Sequence, residues 1–289
     1  MAHFLLKITT HLKREYHRMS ILKNTLKIAS LSSVLSVSAL MATERAEVES
    51  PLLYSVAWKQ TAAEYQALYY QGFNVAKMHV ELALAKHKKG DKPLAIVSDF
   101  DDTLVQPLAY WGKLVEQNID FFDDPIWDAW IPKNGMIASP GAKDFLAFCE
   151  ENGVEIFYIT SRDQGEKTVE YALGNIRHLG FPLKDASHLT VLRDTSNKET
   201  RQNEIMKDYE VAVFLGDSLN DFRRKYYVKG DVAGRQAKME EDKALFGKKY
   251  VLFPNPTDGH WLAGIFGQSE PEDNPANRKL LKKAAAGKL

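Results

Sequence analysis

The chain has 289 residues, 45% of them hydrophobic and 26% charged, a composition that supports a folded core and excludes a disordered or fibrous chain. Lys+Arg and Asp+Glu both number 38, so there is no excess of positive charge, and binding of a nucleic-acid polymer is excluded as a function class. The single cysteine, Cys149, rules out an internal disulfide and reads as a small core residue.

The charge balance is uneven along the chain. Residues 1–42 carry Lys7, Lys13, Arg14, Arg18, Lys23 and Lys27 against Glu15 alone, and the remainder is net negative. The basic segment leads into the apolar, serine-rich run IASLSSVLSVSALMA at 28–42, which is the layout of an export signal. Cleavage is expected near Ala39, Ala42 or Ala46, Met19 is an alternative start, and an uncleaved anchor or amphipathic helix is the competing reading. The expected location is outside the cytoplasm, with membrane association only through an uncleaved signal.

Residues 50–90 form the next segment. Trp58, Ala62, Tyr65, Tyr69, Phe73, Ala76, Val80 and Leu84 recur every three or four positions, predicting one long helix with a buried aromatic face that contributes to a smaller subdomain. KHKKGDKP then ends it. From residue 93 the pattern changes to short apolar runs at 94–98, 154–160, 189–192, 211–216 and 249–253, separated by helical stretches such as 141–152 and 165–179. That alternation predicts an α/β fold, a Rossmann-like parallel sheet flanked by helices, spanning 93–262. An aromatic insert at 105–140 directly follows the first strand and would overhang the sheet's ligand end. Its Tyr110, Trp111, Phe121, Phe122, Trp127 and Trp130 read as a small core, with stacking on a substrate ring as the alternative. Residues 268–289 read as a charged, solvated tail with at most a short lysine-rich helix.

In a parallel sheet, ligands sit at the carboxyl ends of the strands. Here those ends carry Asp99-Phe100-Asp101, then Thr160-Ser161-Arg162, then Gly216-Asp217 with Asp221, while Lys198 lies beyond the third strand where Ser196 or Asn197 could cap a helix. Each has a bland reading as a turn, a cap or a surface lysine. The ordered set DFDDT…ITSR…K…GDSLND resembles the haloacid dehalogenase (HAD) superfamily of phosphohydrolases. With TAAEYQALYYQGFNVAK before the first motif and FPNPTDGHW at 253–261, the chain looks like the bacterial class C acid phosphatases over about residues 55–262. It departs from them at Asp102, where Glu is common, at Ser161, where Asn is common, and in having no lipoprotein cysteine after the signal.

The resemblance implies a first strand lying between the second and fourth, a homodimer, and phosphomonoester substrates that include 5′-nucleotides. By the same resemblance Asp99 is the nucleophile and a ligand of one Mg²⁺. The carbonyl of Asp101 and the side chain of Asp217 complete the ligand set, and Asp221 is a further ligand or supports one. Mg²⁺ suits such an all-oxygen set. Asp101 would pass a proton to the leaving oxygen and take one from water, with an acid optimum expected from the crowding of carboxylates. Thr160 and Ser161 would bind phosphate, Lys198 would offset its charge, and Asp102 and Thr103 would support the turn. His260 and Trp261 are expected near the rim. A binding protein on the same scaffold and a phosphotransferase using the same aspartyl-phosphate remain the competing functions.

Overall fold

The computed structural model describes residues 49–289; the expected export signal lies outside the described residues. In chain order the strands are β1 (Leu94–Ser98), β2 (Val105–Gln106), β3 (Ile137–Ala138), β4 (Glu155–Ser161), β5 (Leu189–Leu192), β6 (Glu210–Gly216) and β7 (Tyr250–Leu252). The five apolar runs read from the sequence make one sheet of order β5-β4-β1-β6-β7, parallel throughout. β1 is central, and Ser98 at its end aligns with Tyr158 of β4 and Leu215 of β6.

All five residues of β1 are buried, and alternation divides them between two cores. Leu94 and Ile96 join a cluster with Tyr65, Tyr69 and Phe73, while Ala95 and Val97 join Phe157, Phe214 and Tyr250 on the opposite face. Covering both faces explains why these strands read as continuous apolar runs rather than as alternating ones.

The expected long helix is two, α1 (Leu52–Thr61) and α2 (Ala63–Lys86), interrupted where Ala62 takes an extended conformation (φ −80°, ψ 122°). No proline or glycine marks the break, so periodicity could not show it. It is held by tertiary contacts, with Trp58 edge-on to Tyr65 at 5.1 Å and Lys59 buried against Asp102. Tyr65, Tyr69, Phe73, Ala76 and Val80 are the buried face of α2, as the spacing predicts.

The insert contains α3 (Leu108–Glu116) and α4 (Asp124–Trp130) and is closed at its base by the antiparallel β2–β3 ribbon. Asp123 caps α4 by accepting from the Ile126 N–H at 2.8 Å. Tyr110, Trp111, Phe121, Trp127 and Trp130 are buried, so most of the insert's aromatic side chains form its core. The remaining helices are α5 (Ala142–Glu151), α6 (Thr168–Leu179), α7 (Lys198–Asp208), α8 (Val232–Glu241), α9 (Trp261–Phe266) and α10 (Pro275–Ala285). Cys149 is fully buried in α5, and burial pushes its thiol up to about 12.

The C-terminal segment forms the short lysine-rich helix expected, with no buried residue in that helix, but it is also tethered to the insert. Arg278 of α10 donates to the buried carboxylate of Asp120 at 2.5 Å, and the Asp120 N–H donates to Asp273, fastening the segment to the insert. Asp120 was not separable by sequence from the insert's other acids. Among the described residues no helix is long and apolar enough to cross a membrane.

Candidate active site

Parallel pairing of β1 with β4 and β6 brings residues far apart in sequence to one edge. Asp99, Asp101, Thr160, Ser161, Lys198, Asp217 and Asp221 all line a cavity of about 210 Å³. Asp99 continues β1, its N–H donating to the Leu215 carbonyl at 2.9 Å. Its carboxylate accepts from Thr103 Oγ1 at 2.8 Å and from the ammonium of Lys198. Thr103 also reaches Asp217 at 3.2 Å, so the turn-supporting residue of the sequence reading bridges two carboxylates.

Asp221 turns back onto the strand end because Gly216 allows it: a Cβ at 216 would lie 2.5 Å from the Asp221 Cβ. The Ser218 N–H then donates to Asp221 Oδ2 at 2.9 Å, and Lys198 pairs with Asp221 Oδ1 at 2.7 Å. The glycine and the spacing of GDSLND thus have a steric cause.

Asp99, Asp217 and Asp221 each offer a carboxylate oxygen, all within 4.8 Å of one another. Burial, opposed by Lys198 and aided by Asp221 and Asp101, pushes Asp99 up to about 7. Burial, with Asp221, Asp99 and Asp102 adding repulsion, holds Asp217 well above the usual carboxylate range. Asp217 is neighboured by the neutral donors Thr103 and Asn255, while Lys198 serves the other two. An oxygen-only set with more carboxylates than cations fits a hard divalent ion such as Mg²⁺.

The same repulsion predicts how stability varies with pH in the metal-free protein. Asp99 and Asp258, the latter pushed by burial to about 7, bind more protons folded than unfolded between pH 3.8 and 7. Stability from them is therefore full below pH 3.8 and is lost as pH rises through 7. Burial lowers His260 to about 4, which works the other way over pH 4–6.5, but Asp217 adds to the carboxylate side. Thermal melts in chelator should show a falling Tm from pH 4 to 7; a rising Tm would contradict this charge assignment.

Three groups of contacts carry no signal in the sequence. Asp101 is bound through both oxygens by Arg162, Nε to Oδ2 at 2.6 Å and Nη2 to Oδ1 at 2.5 Å, and Thr160 Oγ1 donates to Oδ2 at 3.0 Å. Asp102, at left-handed φ 53°, keeps its turn role, but its side chain pairs with Lys59 Nζ at 2.6 Å and accepts from Trp111 Nε1 at 3.3 Å. Lys59 also donates to Thr257 Oγ1 at 2.9 Å, which donates to Asn255 Oδ1 at 2.8 Å, and Asn255 Nδ2 donates to Asp217 Oδ2 at 2.7 Å. A hydrogen-bonded chain therefore runs from α1 to the acidic cluster. Asn220 also lines the cavity, and its Nδ2 is buried without a protein partner. His260 lines the cavity and meets Tyr227 Oη at 3.0 Å, whereas Trp261 is 38% exposed.

The family model of the HAD superfamily, subfamily IIIB (acid phosphatase), matches residues 16–261. The chain belongs to this family of acid phosphatases. Among curated relatives, a class B acid phosphatase of Marinomonas sp. (strain MWYL1) is 25% identical over 206 residues, covering 66% of this chain and 76% of that one. A class B acid phosphatase of Edwardsiella ictaluri (strain 93-146) is 24% identical over 149 residues, 48% of this chain and 61% of that one. Among solved structures, a class C acid phosphatase of Bacillus anthracis with tungstate bound is 30% identical, with TM-score 0.74 over 82% of this chain and 97% of that one. This acid phosphatase acts on phosphomonoesters of small molecules, and the HAD phosphatases to which it belongs depend on a metal.

A second cavity, about 410 Å³, is lined by Phe122, Trp127, Arg162 and Arg193 among others, and shares Ser161, Ser196 and Glu270 with the first. The C-terminal segment thus supplies a wall of both, which no feature of its sequence marks.

Proposed function

We propose that the acid phosphatase works through an aspartyl-phosphate on Asp99, with Mg²⁺ held by Asp99, Asp217 and Asp221 and by the Asp101 carbonyl. The observation that carries this reading is the buried Asp99 carboxylate at the end of β1, between the Lys198 ammonium and two further carboxylates. The tungstate in the Bacillus anthracis relative, a tetrahedral oxyanion like phosphate, adds support. Bound there, the cation supplies charge neutralisation and polarises the phosphoryl oxygens.

The chain's own residues do the rest. Asp99 attacks phosphorus, and the bond to the leaving oxygen breaks with its electron pair on that oxygen, which takes a proton from Asp101. Water then attacks the phosphorus of the aspartyl-phosphate and gives a proton to Asp101, while the P–O bond to Asp99 breaks with its electron pair on the Asp99 oxygen, regenerating the carboxylate and releasing phosphate. Lys198, Thr160, Ser161, Ser218 and Asn220 are within the same cavity and offer donors to the charge spread over the phosphoryl oxygens, where preorganised donors act most strongly. The 410 Å³ cavity with Phe122 and Trp127 is the seat for the leaving group, in a size range that suits 5′-nucleotides.

Turnover of p-nitrophenyl phosphate tests the metal. EDTA should abolish it and added Mg²⁺ restore it, since Asp99 must be ionised to attack. Undiminished turnover after exhaustive chelation would overturn the metal assignment. The export reading stands on residues 1–42, and N-terminal sequencing of the mature protein tests it: intact residues 1–38 would refute cleavage.

A further inference from the structure

We infer that Arg162 is the positioning residue for proton transfer, holding the Asp101 carboxylate in a fixed plane so that Oδ1 handles the proton. The inference rests on the Asp101 role proposed above. A carboxylate oxygen accepts about two hydrogen bonds. Oδ2 has two, from Arg162 Nε and Thr160 Oγ1, while Oδ1 has one, from Arg162 Nη2. Oδ1 is thus the oxygen with remaining capacity, on a side chain 21% exposed in the catalytic cavity.

Thr160 has one hydroxyl proton and here spends it on Asp101. When a phosphoryl oxygen takes that donor, Oδ2 loses a partner, and the paired N–H bonds of Arg162 alone keep the carboxylate in plane. Bidentate pairing has the required rigidity, since planar guanidinium and planar carboxylate fix each other's orientation.

Arg162 is itself immobilised. It is 5% exposed, lies 5.1 Å from the Phe100 ring centroid, and donates from Nη1 to Asn175 Oδ1 at 2.7 Å. The Asn175 amide in turn donates to the Ile131 carbonyl at 3.1 Å and Asn134 Oδ1 at 2.8 Å. The insert therefore sets the orientation of the proton carrier through Asn175 and Arg162. The sequence motif ITSR, in which Thr160 and Ser161 draw attention as phosphate ligands, carries in its fourth position the residue that aims the acid.

In the step concerned, the P–O bond breaks, its electrons stay on the leaving oxygen, and the proton of Asp101 Oδ1 passes to that oxygen. This transfer matters for an alkyl leaving group, which departs poorly as an anion, and little for p-nitrophenolate. The test compares kcat/KM on β-glycerophosphate and p-nitrophenyl phosphate for wild type, Arg162→Ala, Arg162→Lys and Asp101→Asn. Arg162→Ala should lose about 100-fold more on the alkyl ester than on the aryl ester, the low end of what a positioned proton donor contributes. Arg162→Lys, which keeps charge but not the fork, should recover part of the alkyl loss, and it reads the same ratio if the alanine variant does not fold. Equal losses on both esters for the Arg162 variants, with Asp101→Asn still selective for the alkyl ester, overturn the role of Arg162. Equal losses for Asp101→Asn as well overturn the proton-transfer reading beneath it.

Discussion

Replacing Asp99 with asparagine is expected to lower kcat on p-nitrophenyl phosphate by about 10⁴-fold or more, because the amide oxygen is too weak a nucleophile to open the covalent route. The substitution preserves shape: its carbonyl oxygen can still accept from Lys198, while its amide takes the place of the oxygen that accepts from Thr103 and can donate to that hydroxyl instead. It also removes one of three crowded carboxylates. The metal-free variant should therefore melt at a higher temperature than wild type at pH 7, since burial and the neighbouring aspartates disfavour the charge at 99. Loss of activity together with gain of stability separates chemistry from folding. Activity within about tenfold of wild type would remove Asp99 from the nucleophile's role.

Replacing Lys59 with methionine is expected to cost about 3–5 kcal/mol, the range for breaking a buried ion pair by removing one partner. The Lys59 side chain is fully buried and that of Asp102 is 7% exposed, so water cannot take over. Only the 3.3 Å bond from Trp111 then remains on the Asp102 side chain. Against a typical total of about 5–15 kcal/mol, the loss would bring the protein close to unfolding at growth temperature. Adding Asp102→Asn to Lys59→Met should recover most of it, because the stranded charge is gone. Denaturant melts of the three variants decide this; a single-variant cost under about 1 kcal/mol would mean that the pair contributes no more than an exposed one. The Lys59–Thr257–Asn255–Asp217 chain gives the same substitution a second effect, weaker binding of a divalent ion at Asp217.

The parts of this protein that follow repeating physical rules were legible in the sequence. Apolar runs covered on both faces gave the strands; β1 was placed at 94–98 and is Leu94–Ser98. The buried face of α2 followed from helical spacing. Asp99, Thr160 and Asp217 could be singled out because strand ends in a parallel sheet converge on one edge, whereas Lys198, which lies beyond a strand, and the roles of all four came from resemblance. The strand order that makes them meet came from resemblance, since periodicity carries no order.

What escaped was long-range pairing of polar side chains. Lys59 sits in an amphipathic helix where a lysine reads as solvent-facing, and its partner is 43 positions away. Arg162 follows two residues with evident ligand chemistry, and nothing in the sequence names Asp101, 61 positions away, as its partner. The break at Ala62 has no local marker, and the C-terminal segment reads as solvated until Asp120 appears as the acceptor for Arg278. Buried ion pairs are made by the fold, and each partner alone has the composition of a surface.

The most direct test of the covalent route is to trap it. Asp101→Asn removes the base that activates water, so mixing this variant with p-nitrophenyl phosphate should give a burst of nitrophenolate equal to the enzyme concentration. Acid quench and peptide mass spectrometry should then place one phosphoryl group on Asp99. A burst with the phosphoryl group on any other residue, or continued turnover with Asp99 never modified, would contradict the account.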